Sequence, residues 1–181
     1  MRSGVTKQKL QILFEELGKS AKGPGNVYIV GGSTALLLGI RDQTIDVDLK
    51  LDPEAPGIFE RIETLKNQLN INIEIASPDQ FIPALPGWRE RSEFIAAIGS
   101  LNFYHYDFYG QVLAKIERGH EQDLSDATEM VKSAKVKLGL LLSLYEEIEP
   151  QLLRYPAINK NDFANKVKQF IKLQKEENVR G

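Results

Sequence analysis

The sequence predicts an α+β fold, a small mixed β-sheet flanked by helices with a helical C-terminal part. Three observations predict it. Apolar runs of strand length are interleaved with segments of helical periodicity through the first hundred or so residues. Two of those runs alternate strictly between apolar and polar residues, and after Tyr106 only helical patterns remain.

Leu10, Leu13, Phe14 and Leu17 recur at helical spacing before Gly18 and Gly23-Pro24-Gly25, so an amphipathic helix of about three turns opens the chain. Val27-Tyr28-Ile29-Val30 is an unbroken apolar run, as expected of a strand covered on both faces in the middle of a sheet. Gly31-Gly32 ends it, and Ser33 to Leu38 read as a short helix closed by Gly39. From Thr44 to Leu51 the pattern alternates, with Ile45, Val47, Leu49 and Leu51 on one face and Asp46, Asp48 and Lys50 on the other. Pro53 is placed to open a helix running to about Leu69, with Ile58, Phe59, Ile62 and Leu65 as its apolar side. Ile71 to Ile75 alternates again, isoleucines inward and Asn72 with Glu74 outward.

A turn-rich connection around Pro83, Pro86, Gly87 and Trp88 leads to a hairpin of Arg91–Ile95 and Leu101–Tyr106 that turns near Gly99. Asp107 suits the N-cap of a helix from Phe108 to Arg118, Gly119 breaks it, and Asp123 is placed to cap the next helix through Lys132. A helix from Val136 to Pro150 and another built on Phe163, Val167, Phe170 and Ile171 complete a single domain, with a core over 1–132 and a helical extension over 133–181.

Composition excludes several classes. With 42% hydrophobic and 27% charged residues, the chain of 181 residues is neither disordered nor of low complexity. It has no cysteine, which removes disulfides, cysteine-based zinc sites and thiol nucleophiles and makes the cytoplasm the default compartment. No signal-peptide block opens the sequence and no apolar run approaches the 18 or so residues that span a membrane, so a membrane association is not expected. Net charge is −2, with basic ends, read as solvated helix faces, around an acidic middle. His105 and His120 are the only histidines and stand far apart, which leaves no spacing for a zinc site or a serine–histidine triad.

Asp46 and Asp48, at i and i+2 on a strand, point the same way with Cα atoms about 6 to 7 Å apart, so their carboxylates can converge on one cation. Taken alone, the pair also fits the wet face of an amphipathic strand. Glu74 projects from the polar face of another alternating strand, and pairing of the two strands would crowd three carboxylates together. At about 5 Å and an effective dielectric near 20, each like-charged pair costs on the order of 3 kcal/mol, so protonation or a divalent ion is expected. Oxygen ligands select Mg²⁺ or Mn²⁺ over zinc.

Upstream, Gly31-Gly32-Ser33 joins a buried strand to a helix, where backbone N–H groups suit a phosphate, although the glycines also fit a plain tight turn. Neither a Gly-x-Gly-x-x-Gly fingerprint nor a Walker loop is present. Phosphate cradle and carboxylate pair together point to metal-assisted chemistry on a nucleotide. Lys115 and Arg118, three apart on one helical face, can present two cations to a triphosphate or simply a solvated face. Asp123 and Asp126 read as capping and ion pairing. Arg41 reads as a phosphate contact or a brace for the aspartate strand, Thr44 as structural. The aromatic cluster Phe103, Tyr104, Tyr106, Phe108 and Tyr109 reads as sheet core rather than a base-stacking surface.

These residues resemble the nucleotidyltransferase superfamily that includes DNA polymerase beta, whose hallmark is Gly-Ser at a helix start followed by Asp-x-Asp on the next strand. Here twelve residues separate Gly32-Ser33 from Asp46-x-Asp48. More specifically, VGGSTALLLGIRDQTIDVDL and LAKIERGHEQDLSDA look like the small bacterial nucleotidyltransferases related to AbiEii toxins of type IV toxin–antitoxin systems, over about Val27 to Val131. The resemblance implies a nucleotidyltransferase fold with its core in 1–132. It makes Gly31, Gly32, Ser33, Arg41, Lys115 and Arg118 nucleotide or phosphate binders, Asp46 and Asp48 ligands of two metal ions, and Glu74 the third ligand and activator of the acceptor. The implied reaction is a Mg²⁺- or Mn²⁺-dependent transfer of a nucleoside monophosphate from an NTP to an acceptor hydroxyl on RNA such as tRNA, or on protein. The implied context is toxin–antitoxin or defence, with a cognate toxin or antitoxin as partner. The alternative is a catalytically silent module of the same fold that binds such a partner.

Overall fold

The computed structural model describes residues 1–181. The chain runs α1 (Lys7–Ser20), β1 (Gly25–Val30), α2 (Gly31–Leu37), β2 (Asp46–Leu51), α3 (Ile58–Gln68), β3 (Asn72–Ile75), α4 (Trp88–Arg91), β4 (Glu93–Ile98) and β5 (Leu101–His105). Four helices follow: α5 (Phe108–Arg118), α6 (Glu121–Lys132), α7 (Leu138–Ile148) and α8 (Lys160–Arg180). The fold is α+β, as expected. Its five strands form one mixed sheet in the order β3-β2-β1-β5-β4. β1 is antiparallel to β2 and parallel to β5; β2 and β3 are parallel, β4 and β5 antiparallel.

The chain divides into two compact units, Met1–Ser77 with Ser92–Tyr106, and Pro78–Arg91 with Asp107–Gly181. The first unit holds the whole sheet with α1, α2 and α3; the second holds α4 to α8.

In the first unit, strand alternation sorts the sheet into two faces. Val27, Ile29, Val47, Leu49, Ile73, Leu101 and Phe103 are buried with Leu10, Leu13, Phe14 and Leu17 of α1 and Ile58, Ile62 and Leu65 of α3. Each such side chain contributes roughly 1.5–3 kcal/mol by leaving water. The opposite set of positions carries Tyr28, Asp46, Asp48, Lys50, Asn72, Glu74 and Tyr104, with Tyr28 stacked on Tyr104 at 5.3 Å.

Several elements depart from the sequence reading. α1 passes through Gly18, because a hydrogen there lets the helix lie against β4; a Cβ would meet the Ile98 carbonyl oxygen at 2.7 Å. Pro53 does not open α3. It follows a cis peptide bond, its carbonyl accepts from Asn26 N at 3.1 Å, and α3 starts only after Gly57 at φ +85. Ile45, Phe59 and Ile75 are exposed at 80%, 48% and 40% rather than inward. Ile45 precedes β2 and Ile75 ends the edge strand β3, whereas Phe59 stands about 100° around α3 from Ile58, off the face that buries Ile58, Ile62 and Leu65. The hairpin begins at Glu93, with Arg91 in α4, and a bulge between Phe94 and Ala96 shifts its register.

In the second unit α5 has the expected bounds, and the Asp107 side chain caps it by accepting from Tyr109 N at 3.2 Å. Arg91 donates to both oxygens of the same carboxylate, at 3.1 and 2.7 Å. Gly119, at φ +73, closes α5 by donating to the Lys115 carbonyl. Asp123 does not cap α6: the cap is His120, and Asp123 lies buried inside the first turn. α7 ends at Ile148 and gives way to a 3₁₀ segment, Glu149–Arg154. Phe163, Val167, Phe170 and Ile171 of α8 are buried as expected, with Tyr145 edge-on to Phe163 at 5.1 Å.

Candidate nucleotidyl-transfer site

The apolar run of β1 stops at Val30 because Gly31 turns the chain at φ +64, and α2 starts there. A Cβ on Gly31 would stand 3.0 Å from Asp48 Oδ2. At Gly32 a Cβ would overlap the Thr44 hydroxyl and lie 3.2 Å from Arg41 Nη1. The glycine pair is therefore where β2, Thr44 and the Arg41 guanidinium close on the backbone. Ser33, fully buried, has its hydroxyl 3.4 Å from the Asp46 carbonyl oxygen, and Thr34 donates to the Ile29 carbonyl at 3.0 Å.

Sheet register assembles the acids. Asp48 pairs with Val30 on β1 and with Glu74 on β3, while Asp46 pairs with Asn72. Asp46, Asp48, Asn72 and Glu74 thus form four corners of one patch on one face, with paired Cα atoms about 4.8 Å apart across the strands. The Asn72 side-chain amide donates to Asp46 Oδ1 at 3.0 Å and to Glu74 Oε1 at 2.7 Å. Arg2 donates to the Ile71 carbonyl at 2.8 Å and to Asn72 Oδ1 at 3.4 Å. No group of three or more His, Cys, Asp or Glu side chains is close enough to hold a metal ion.

The structure thus brings Gly31, Gly32, Ser33, Arg41, Asp46, Asp48 and Glu74 together in the first unit. Asn72 and Arg2 were not singled out from the sequence. Asn72 had a legible signal, its place on the polar face two residues before Glu74; Arg2 had none, because its contacts cross nearly seventy residues of chain.

Lys115 and Arg118 belong to the second unit. Lys115 is 5% exposed, and its ammonium lies 3.3 Å from Asp123 Oδ1 and 3.1 Å from Asp126 Oδ2. Arg118 donates from Nε and Nη2 to the two Asp123 oxygens at 2.7 and 2.6 Å, and Gln122 donates to Asp126 at 3.1 Å. Burial pushes the Asp123 carboxyl up, but the Arg118 hydrogen bonds and the charges of Lys115 and Arg118 outweigh it and hold the group below its usual value. The ion pairing expected of Asp123 and Asp126 is present.

A five-stranded mixed sheet, a Gly-Gly-Ser helix start and Asp-x-Asp on the adjoining antiparallel strand define a nucleotidyltransferase-like protein. The chain belongs to a nucleotidyltransferase family: the family model described as "Nucleotidyltransferase of unknown function (DUF6036)" matches residues 8–176. No curated protein and no solved structure matches the chain. No helix is long and apolar enough to cross a membrane.

Proposed function

We propose that the chain is a divalent-metal-dependent nucleotidyltransferase that moves a nucleoside monophosphate from an NTP to an acceptor hydroxyl. The observation that carries this reading is the placement of Asp46 and Asp48 on one face of β2, with Asp48 Oδ2 beside Gly31 at the start of α2. The donor set fits Mg²⁺ or Mn²⁺, because it is all oxygen and because Mg²⁺ is commonly held by one or two carboxylates together with substrate phosphates and waters. Asp46 and Asp48 would hold the ion, which would supply neutralisation of the triphosphate charge and help the pyrophosphate to leave.

The remaining chemistry belongs to the chain's own groups. Gly31 and Gly32 form the bed for the triphosphate, Ser33 is fully buried with its hydroxyl at the Asp46 carbonyl, and Arg41, beside Gly32, faces the triphosphate charge. Glu74 takes the proton of the attacking hydroxyl as the new P–O bond forms and the bond to pyrophosphate breaks. Lys115 and Arg118, nucleotide contacts by the resemblance, belong to the second unit and pair there with Asp123 and Asp126. The acceptor is RNA such as tRNA, or a protein hydroxyl. The AbiEii-like motifs support a toxin–antitoxin or defence setting with a cognate protein partner, in the cytoplasm where NTPs are found.

One observation favours the competing reading of a silent, partner-binding module. The Lys115 ammonium already spends two of its three N–H donors on buried aspartates. Incubation with Mg²⁺ and each α-labelled NTP, with total tRNA and cell protein as separate acceptors, tests the two. Label transferred by the unmutated chain and lost in Asp46→Ala/Asp48→Ala supports the enzyme; no transfer by a folded chain with either acceptor supports the silent module.

A further inference from the structure

We infer that Asn72 is a positioning residue that divides the acids of the site between two roles, keeping Glu74 off the metal so that it remains available to the acceptor. The inference rests on the nucleotidyl-transfer reading above and departs from the expectation that Glu74 is a third ligand.

An amide nitrogen stands between Asp46 and Glu74, with Asp46 Oδ1 at 3.0 Å and Glu74 Oε1 at 2.7 Å. The two N–H bonds of a side-chain amide diverge by about 120°, which sets two acceptor oxygens about 5 Å apart. Oxygens that share one Mg²⁺ at about 2.1 Å lie no more than about 4.2 Å apart. Asn72 therefore holds Glu74 Oε1 outside the reach of an ion bound through Asp46 Oδ1, and no group of three acids stands close enough to hold a metal ion.

The amide is held the right way round. Only the nitrogen can donate to a carboxylate, and Asn72 Oδ1 is turned toward Arg2 Nη1, which is itself anchored on the Ile71 carbonyl. Because Asn72 and Glu74 are two residues apart on β3 and Asn72 registers with Asp46, one side chain reaches both acids without leaving the sheet face. A neutral residue at this corner also spares the patch a fourth negative charge, which Asp in the same place would add.

Calorimetry of Mn²⁺ binding with a non-hydrolysable NTP, alongside turnover and thermal unfolding, tests the division. In the unmutated background, Glu74→Gln is expected to leave Mn²⁺ affinity within about twofold while turnover falls at least about a hundredfold. Asp48→Asn is expected to weaken Mn²⁺ by tenfold or more. Asn72→Leu is expected to strengthen Mn²⁺ several-fold, as Glu74 joins the ion, and that gain is expected to vanish in the double variant Asn72→Leu/Glu74→Gln. Asn72→Gln, which keeps the donors, is expected to restore part of the turnover.

A tenfold loss of Mn²⁺ affinity in Glu74→Gln alone would overturn the inference, as would additive effects of Asn72→Leu and Glu74→Gln. Failure of the unmutated, folded chain to bind Mn²⁺ with NTP would instead overturn the nucleotidyl-transfer reading, and the division of the site with it.

Discussion

Asp46 and Glu74 share one uncharged amide, whereas Asp123 and Asp126 share one ammonium and draw in a guanidinium and a second amide. The first pair is half-buried or exposed at the sheet surface; the second is buried within a helical unit. A carboxylate taken out of water must be neutralised inside the fold, because an unpaired buried charge costs several kcal/mol. An acid that shares only a neutral donor at the surface leaves oxygens that can ligate an incoming cation. The nature of the partner, more than the number of acids, separates the proposed site from a cluster that holds helices together.

The sharpest break between the two regions comes from removing one charge in each. Asp48→Asn preserves shape and removes a ligand, so transfer of labelled nucleotide is expected to fall about a thousandfold or more, roughly 4 kcal/mol of barrier, with little change in melting. A large drop in melting temperature with transfer retained would instead place Asp48 among the structural acids. Lys115→Met is expected to do the opposite. It leaves two buried aspartates without their ammonium and costs about 3–5 kcal/mol of stability, read by urea unfolding. If stability holds while NTP affinity drops, Lys115 belongs to the nucleotide site and the contrast fails.

The contrast also explains what could be read in advance. Asp46, Asp48 and Glu74 were legible because strand alternation fixes which side a residue faces, and the parallel pairing of β2 with β3 then set Asp48 against Glu74. The Gly31-Gly32 turn was legible because it interrupts an unbroken apolar strand. Lys115 and Arg118 were legible as cations on α5, but not their partners: whether a helical cation meets solvent, substrate or an acid depends on the neighbouring helix, and α6 brings Asp123 and Asp126. Asp123 was misread as a cap for the same reason, since its tertiary partners outweigh the local preference for an acid at a helix start. Gly18 misled in the other direction, as a packing requirement against Ile98 that looks in sequence like a helix stop.

A smaller effect is expected at the glycine pair. Gly32 has no positive φ, so alanine there meets a steric objection alone, overlap with the Thr44 hydroxyl and 3.0 Å from Thr44 Cβ. Gly32→Ala is expected to cost about 1–3 kcal/mol and to recover part of it when Thr44→Ala removes the hydroxyl. Equal stability of Gly32→Ala and the unmutated chain in thermal unfolding would show that the Thr44 segment moves freely, and that Arg41 is not held beside the helix start.

The smallest effect is a pH dependence that carries a sign. Burial works to raise the Asp123 carboxyl, but Arg118 and Lys115 together hold it below its usual 3.8. A depressed acid stabilises the fold fully above its unfolded value and loses that contribution as pH falls through the folded one. Asp107 runs the other way: burial, its largest influence, leaves its carboxyl above 3.8 in spite of Arg91, so its protonation favours the fold as pH falls. A single unfolding curve mixes the two signs, and the difference between the unmutated chain and Asp123→Asn isolates one of them. That gap is expected to be on the order of 1–2 kcal/mol near neutral pH, the scale of a hydrogen bond to a charged group, and to close as pH drops below 3.8. A gap that widens on acidification would mean that Arg118 and Lys115 do not stabilise the ionised aspartate, leaving both cations available to a triphosphate and the two acidic regions of the chain alike.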